Sequence, residues 1–591
     1  MANHRNKLSH FWQELKRRRV IHVITVYASA AFVLIELIGN LTEPLNLPAS
    51  LSTIVIIVLA VGFPLAIILS WLYDLTSGTF ERTKPLEDIP EEDKARIPNA
   101  WQIATYISFV VIAGLVVLNI TTRGDLIKPG MIQSMVILPF DNYTGDENLD
   151  YIASGMHASL IGDIGKVSAL RVIGETSSNV FKETNKSAPD IAKELNVDMV
   201  LEPTLTCYGD TVCILVRAMA NFPKEKQIWV AEYREDKSKI LSLWNRIAKQ
   251  IAEEVKVELT PEEVSLLANA RLVDKDAYDA YLKSNQLLGD ASKESLNKAR
   301  EYLNSAIVKD PDWAPLYIGL TRVWVTIVQM GIESPEVGIP KIFENLNKAL
   351  ELEPDNDEAH EARGMIAFLQ EWDWEKSEKE YLRALAINPS NVGRIIYSQL
   401  LAILQRPDEA VKNGQLALAL DPLNPMMQVQ YSSTLISVGE YEEALKLLEK
   451  VTAEDPGNYI ANNGIEIVAF LCGDYDKVMK AARYIMLAKN INFEEVERIY
   501  REKGFVAAYE EIMRQEEVIA QHGYVRPVEM VIRYMMVDQK DKAMDWIEKG
   551  FELHDPNMPY ITTQCLCEPL FDDPRFIDII HKMNLPLPKT E

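Results

Sequence analysis

Eight histidines are the residues to weigh first for acid–base or metal chemistry, and they are scattered along the chain with no HExxH pair and no partner carboxylate at helical spacing. A zinc site or a metal-activated water needs such clustering. Glu442 and Glu443 are adjacent acids, but they fall on the outer side of an expected helix, where solvated charge is the ordinary role and general-acid work a poor second. "GDIGKV" at 162–167 ends in Gly-Lys, as a phosphate loop does. It lacks the spaced second glycine and the Ser/Thr after Lys166, and it closes a helix where a phosphate site opens one. No GxSxG elbow, GxGxxG turn or kinase set is present. We expect no enzyme, no catalytic residue, no cofactor and no metal site.

Cys207, Cys213, Cys472, Cys565 and Cys567 form no CxxC unit, so neither a zinc module nor a disulfide scaffold is indicated. Cys207 and Cys213 flank "YGDTV", a hairpin turn, and plain strand alternation leaves them on different faces. A bridge requires a bulge; two small apolar residues in a strand pair is the preferred reading. The net charge is −25, yet the first twenty residues carry Arg5, Lys7, Lys16, Arg17, Arg18 and Arg19 against Glu14 alone. An acidic body repels nucleic acid, so no direct nucleic-acid partner is expected.

The elements that would position these side chains change character along the chain. "LSTIVIIVLAVGFPLAIILSWLY" (51–73) and "WQIATYISFVVIAGLVVLNI" (101–120) contain no ionisable side chain, and "VIHVITVYASAAFVLIELIGNL" (20–41) contains only Glu36 and His22. Each is about twenty residues, the length that crosses ~30 Å of hydrocarbon. A cleaved signal peptide, the rival for the first run, wants a shorter apolar core. Three transmembrane helices are therefore expected. Lys16, Arg17, Arg18 and Arg19 orient them, since 1–19 is basic, "TEPLNLPAS" has no cation, and the 74–100 loop has Arg82, Lys84, Lys94 and Arg96. The expected placement is a multi-pass inner membrane protein with a cytoplasmic N-terminus and most of the chain periplasmic.

From 131 to 260 short β-branched runs alternate with helical stretches in the order β-α-β-α-β-β-β-α, which predicts a mixed sheet with helices packed on it. From 270 to 490 an Ala-and-Pro register repeats in "AREYLNSAIVKDP", "IFENLNKALELEP", "SEKEYLRALAINP", "AVKNGQLALALDP" and "ALKLLEKVTAEDP". Pro311, Pro354, Pro389, Pro422 and Pro456 are spaced 43, 35, 33 and 34, and the last three spacings match the ~34-residue tetratricopeptide period. Ala306, Ala349, Ala384 and Ala417 each stand five residues before their proline, where a small side chain lets paired helices approach. Stacked units of this kind bury a continuous core and leave a concave groove. After 490 the register loosens, and 491–591 is read as capping helices.

"VILPFDNYTGDENLDYIASGMHASLI", "LRVIGETSSNVFK", "IAKELNVDMVLEPTLT" and "QIWVAEYRED" together resemble the TolB-like domain of bacterial envelope proteins and CadC-like membrane regulators. Leu138, Pro139, Phe140, Asn142, Gly145, Asp146, Tyr151, Gly155, Leu201, Glu202, Trp229 and Tyr233 carry the likeness; Pro203 departs from it, where that family places Gly-Ser. "FWQELKRRRVIHVITVYASAAFVLIEL" and "GFPLAIILSWLYDLTSGTFERT" are similar to the membrane segment that precedes such domains. Some relatives of that kind begin with a helix-turn-helix or a nucleotide cyclase; the resemblance implies a member without that output domain. The expected fold class is multidomain: three transmembrane helices, an α/β mixed-sheet TolB-like domain, then an all-α repeat solenoid. The expected function is an envelope scaffold binding protein or peptide partners in the repeat groove, with the lipid bilayer as a further partner. Homo-oligomerisation stays open, and the alternative is a sensory component of a signalling or transcription-control system.

Overall fold

The computed structural model describes residues 132–588 apart from 147–148, 221–225, 268–269, 291, 330–331, 490 and 521–524; upstream it describes scattered residues within 20–31 and 59–63 and two short strands. The chain divides into two compact units, Met1–Leu126 and Ile127–Glu591. In the first, β1 (Tyr73–Thr76) and β2 (Thr79–Arg82) pair as an antiparallel hairpin, within a stretch read from sequence mostly as loop.

Three transmembrane helices, and the multi-pass inner-membrane placement built on them, are corrected here: among the described residues no helix is long and apolar enough to cross a membrane. Apolar length was the whole ground for those spans. The segments 20–41, 51–73 and 101–120 lie wholly or largely outside the described residues, as do Lys16, Arg17, Arg18 and Arg19. What the structure holds is a mixed-sheet domain followed by a mostly helical repeat region.

The sheet is built from β3 (Ser134–Ile137), β4 (Asp141–Asn142), β5 (Arg171–Val172), β6 (Met199–Tyr208), β7 (Thr211–Ala220) and β8 (Lys226–Asp236). Its order is β5-β3-β6-β7-β8, with β4 also beside β6. β3 runs parallel to β5 and β6, whereas β6, β7 and β8 form an antiparallel meander. The distinction follows from the connections, because parallel neighbours need a crossover. α1 (Asp150–Gly165) precedes β5, and α2 (Glu175–Asn179) and α3 (Ala188–Leu195) precede β6; the meander needs only tight turns. α4 (Ile240–Glu254) and α5 (Pro261–Leu266) follow.

Strand alternation separates the two faces. Met135, Ile137 and Leu201 pack with α1 and α4, while Val136 and Val200 pack with Ile191, Ala192 and Leu195 of α3. His157 of α1 is fully buried between them, its Nε2–H donating to the Ile137 carbonyl at 2.8 Å. Burial pushes this imidazole down to about 4 against that hydrogen bond, so it is a neutral core residue.

In β6 the register slips by one residue between Leu205 and Cys207, which sets Cys207 directly opposite Cys213. The two sulfurs are bonded at 2.08 Å. The bulge is what plain alternation could not foresee: one extra residue, Thr206, carries Cys207 onto the face of its partner. The preferred reading of two separate apolar residues is therefore corrected.

Downstream, helices pair in succession. α6 (Lys275–Asp290) packs on α7 (Lys293–Lys309), α8 (Ala314–Gln329) on α9 (Pro335–Leu352), and α10 (Asp357–Ile366) on α11 (Trp374–Ile387). α12 (Arg394–Ile403) pairs with α13 (Pro407–Leu420), α14 (Pro425–Ser437) with α15 (Tyr441–Glu454), and α16 (Tyr459–Leu471) with α17 (Tyr475–Ala488). The pairing continues through α18 (Glu494–Lys503) with α19 (Phe505–Ala520) and α20 (Pro527–Met536) with α21 (Lys540–Glu552). Two 3₁₀ turns, Met558–Thr562 and Cys565–Leu570, and α22 (Pro574–Lys582) end the fold.

A common turn closes the hairpins from α10 onward. Trp372, Gln405, Gly439, Gly473, Gly504 and Asp538 each stand between the two helices of a pair with φ between 52° and 86°. This left-handed residue ends the first helix and reverses the chain. Only glycine adopts it without a Cβ penalty. A Cβ at Gly439 would meet no atom within 4 Å, so only the backbone resists a substitution there. Gly439→Ala should lower stability by about 1–2 kcal/mol in urea unfolding; an unchanged midpoint would show that the turn is not held left-handed.

Candidate functional site

The two helices of a pair differ in how much of their surface is buried. α13 buries a single stripe, Ala410, Gly414, Ala417 and Leu420, as expected of a helix packed on one side. α12 buries every residue from Tyr397 to Ile403, and α20 every residue from Met530 to Met536. A helix buried all round is covered on a second side.

For α12 that second cover is the chain's own C-terminal segment. Tyr560 Oη donates to Gln399 Oε1 at 2.8 Å, and its ring lies edge-on to Phe368. Trp374 Nε1 donates to the Met583 carbonyl at 2.9 Å, and Gln405 Nε2 donates to the Leu587 carbonyl. His554 stacks on Trp372 with ring centroids 3.7 Å apart and donates from Nε2 to the Gln370 carbonyl. Leu566, Leu570, Phe576, Ile579 and Ile580 join the same apolar cluster as the inner helices.

The mixed-sheet domain seats on the loops between successive hairpins. Gly174 N donates to the Leu420 carbonyl at 2.6 Å, Ser177 N to Asp421 Oδ1 at 2.7 Å, and Arg171 Nη1 to the Ala419 carbonyl at 2.7 Å. In return Leu423 N donates to Ser177 Oγ at 2.8 Å. The close approach needs glycine: a Cβ on Gly174 would stand 2.9 Å from Asp421 Cγ, and one on Gly165 would stand 2.9 Å from Asn388 Oδ1.

Beside this seat lies a charged group of side chains. Arg322 of α8 pairs with Glu358 of α10 at 2.9 Å. Glu361, one turn further along α10, has its carboxyl pushed up to about 7, first by burial and then by Glu358, with Arg322 opposing. Glu175 of α2 is raised for the same first reason, and again Arg322 opposes. Lys166, the residue that gave "GDIGKV" its phosphate-loop look, pairs with Asp163 at 2.6 Å at the end of α1. Because Glu361 is raised above its unfolded value, the stability it lends is complete below pH 4.5 and is lost as pH rises through about 7. Glu361→Gln should therefore match the natural chain near pH 4 and exceed it in thermal stability at pH 8; a gap independent of pH would contradict the assignment.

A second polar network is buried among α16, α19 and α20. Arg533 and Glu516 form an ion pair in which both side chains are 1% exposed. Lys489 Nζ bridges Glu516 at 2.6 Å and Glu529 at 2.8 Å, and Tyr459 Oη donates to Glu529 at 2.7 Å. Tyr509 Oη donates to Glu466. Burial works against the Glu529 charge, but Lys489 and Arg533 outweigh it and hold its carboxyl below the usual range. Burial raises Glu466, with Arg533 opposing. Arg533→Met alone leaves Lys489 without its partner cation against Glu516, Glu529 and Glu466 and should cost about 3–5 kcal/mol, whereas Arg533→Met joined to Glu516→Leu should recover most of it. Equal losses from both variants, read by chemical unfolding, would show that the pair is not a desolvated unit.

Four tryptophans near the start of the array, Trp313, Trp324, Trp372 and Trp374, do not form one patch. Trp313 packs against Tyr278 and Tyr281, and Trp324 lies under the Arg300 guanidinium. Trp372 and Trp374 belong instead to the C-terminal closure. Among the described residues no group of three or more His, Cys, Asp or Glu side chains is placed to hold a metal ion. Gln399, Gln405 and Tyr560 were missed from sequence, since contacts across more than 160 residues leave no local spacing to read.

No family model matches the chain. A protein of Rhizobium meliloti (strain 1021) named "Putative adenylate cyclase 3" is 28% identical over 193 residues, 33% of this chain and 33% of that protein. The chain thus spans about a third of the length of that curated relative. This likeness overturns the expectation that the chain is no enzyme. Motifs weigh a few letters at fixed spacing, and the similarity is spread over 193 positions.

Among solved structures, the tetratricopeptide repeat protein YrrB, described as having an unusual peptide-binding site, is 19% identical; the match covers 31% of this chain and 90% of that one at a TM-score of 0.24. A Parabacteroides merdae ATCC 43184 tetratricopeptide repeat protein is 17% identical, covering 46% and 98% at 0.28, and Pseudomonas aeruginosa pilF is 18% identical, covering 40% and 97% at 0.29. Overlays at these TM-scores decide nothing. The tetratricopeptide-type array stands on its hairpin period and left-handed turns. The bilayer and homo-oligomer expectations gain no support from these findings.

Proposed function

We propose that the chain is a protein-binding repeat scaffold whose α/β domain, TolB-like by its sequence pattern, is seated on the array. The observation that carries this reading is that the array already holds a remote stretch of polypeptide: Gln399 on α12, Gln405 in the α12–α13 turn and Trp374 at the start of α11 bind it by hydroxyl and backbone carbonyl groups. Val392, Met426 and Ile460 stand 34 residues apart near the starts of α12, α14 and α16 and are 41%, 52% and 42% exposed. A repeating row of exposed apolar side chains is suited to a partner that runs along the repeats. A photo-reactive amino acid at Met426 should give discrete protein adducts in cells, whereas one at Lys446 on the outer helix α15 should not. Identical adduct patterns from both positions would remove the reading.

A second reading, a regulatory component of a nucleotide-signalling system, is favoured by the likeness to the cyclase-named Rhizobium protein. Cyclic AMP levels that stay the same when the chain is expressed or deleted would count against it.

A further inference from the structure

The surface held by the C-terminal segment is unlike the permanent core of the array. Between α13 and its neighbours the buried stripe is alanine, glycine and leucine. On the inner helices the buried set includes Ser398, Gln399, Gln428, Ser432 and Thr434. Ser398 Oγ bonds Thr434 Oγ1 at 2.9 Å on the side of Gly414 in α13, whereas Gln399 Nε2 donates to Gln430 and its Oε1 accepts from Tyr560 of the segment. Gln399 thus keeps a partner inside the array when the cover is absent, and a contact that mixes polar with apolar groups has the character of an interface between parts.

The segment is also lightly built. Met558–Thr562 and Cys565–Leu570 are 3₁₀ turns, whose hydrogen bonds have poorer geometry than those of an α-helix. It is reached through His554, a non-glycine residue at φ 51° that ends α21 and reverses the chain. Its polar attachments to the array are Tyr560 to Gln399, the Met583 carbonyl to Trp374, the Pro586 and Leu587 carbonyls to Gln405, and Arg575 to Asp541 of α21 at 3.2 Å on the surface.

We propose that Met558–Leu587 is a built-in occupant of the face of the array formed by Gln399 of α12, Gln405 of the α12–α13 turn and Trp374 of α11, and that the partner this face fits is a polypeptide segment of the same chemistry. Such a segment carries an aromatic hydroxyl that reaches Gln399, free backbone carbonyls for Trp374 and Gln405, and a cluster of leucine, isoleucine and phenylalanine side chains. It binds by displacing the resident one. The proposal rests on the scaffold reading and adds its regulation.

The segment carries its own reporter. Cys567 is fully buried and its thiol is pushed up to about 12 by burial, whereas Cys472 of the array is exposed. In the full-length chain, alkylation followed residue by residue should modify Cys472 at once. Cys567 should react more slowly, yet faster than global unfolding permits and with little dependence on urea. Tyr560→Phe removes the attachment to Gln399 from the resident segment and leaves the face that receives it intact, and should speed Cys567 modification by roughly 2- to 10-fold. The same variant should bind a fluorescein-labelled peptide of residues 555–587 with the natural sequence more tightly than the natural chain by a similar factor.

Cys567 modification that tracks global unfolding in the natural chain overturns the proposal even if the variant does not fold. Peptide binding that is absent from both chains, or equal in both, overturns it as well. If adducts still formed at Met426 while Cys567 stayed locked, the scaffold would stand and displacement alone would fall.

Discussion

A helix hairpin in a stacked array buries one stripe of its outer helix against the neighbours and leaves its inner helix with a second face to cover. That uncovered face is the constraint from which the rest of the second unit follows. α12 and α20 are buried all round, and burial of that kind needs material from outside the repeat pattern. At α12 the material is the C-terminal segment, whose Leu566, Leu570 and Phe576 enter the same apolar cluster as the repeats. At the inter-repeat loops it is the mixed-sheet domain, held by Gly174, Ser177 and Arg171 on Leu420, Asp421 and Ala419.

The two covers differ physically. The domain seat depends on glycines that allow backbone to approach within hydrogen-bond distance, and on Asp421, a buried carboxylate whose partners are backbone and side-chain N–H donors. Charge-assisted bonds of that kind are among the stronger ones. The C-terminal closure depends on amide, indole and hydroxyl groups and on apolar side chains, with the surface pair of Arg575 and Asp541 as its charged contact. One cover has the character of a fixed joint and the other of a ligand. The buried network around Arg533 and Glu516 adds a third device: it ties α16, α19 and α20 by charge at a place closed to solvent.

Sequence alone disclosed the mixed sheet and the repeat register, because both are written in local patterns. Strand order follows from alternating β-branched runs, and the repeats follow from Pro311, Pro354, Pro389, Pro422 and Pro456 with their alanines five residues earlier. The register seemed to loosen after 490, yet Gly504 and Asp538 keep the left-handed turn going. Trp372, Gln405 and Asp538 adopt a conformation that only glycine announces in a sequence, so half of these turns were silent. The bond between Cys207 and Cys213 depends on a one-residue slip, which hydrophobic alternation cannot encode. The transmembrane expectation fails for a related reason: apolar length is a composition signal, and no described helix combines that length with that composition. The closure at Gln399 and Gln405 lies beyond any local pattern.

The central claim is that the chain's own C-terminus lies on its repeats beside α12, and chemical cross-linking tests it directly. With Cys472→Ser and Cys565→Ser as background and Cys567 buried, Gln405→Cys and Leu587→Cys should be joined within one molecule by a short bis-maleimide in high yield, seen as a faster-migrating band. No cross-link, or cross-links formed only between molecules, would contradict it.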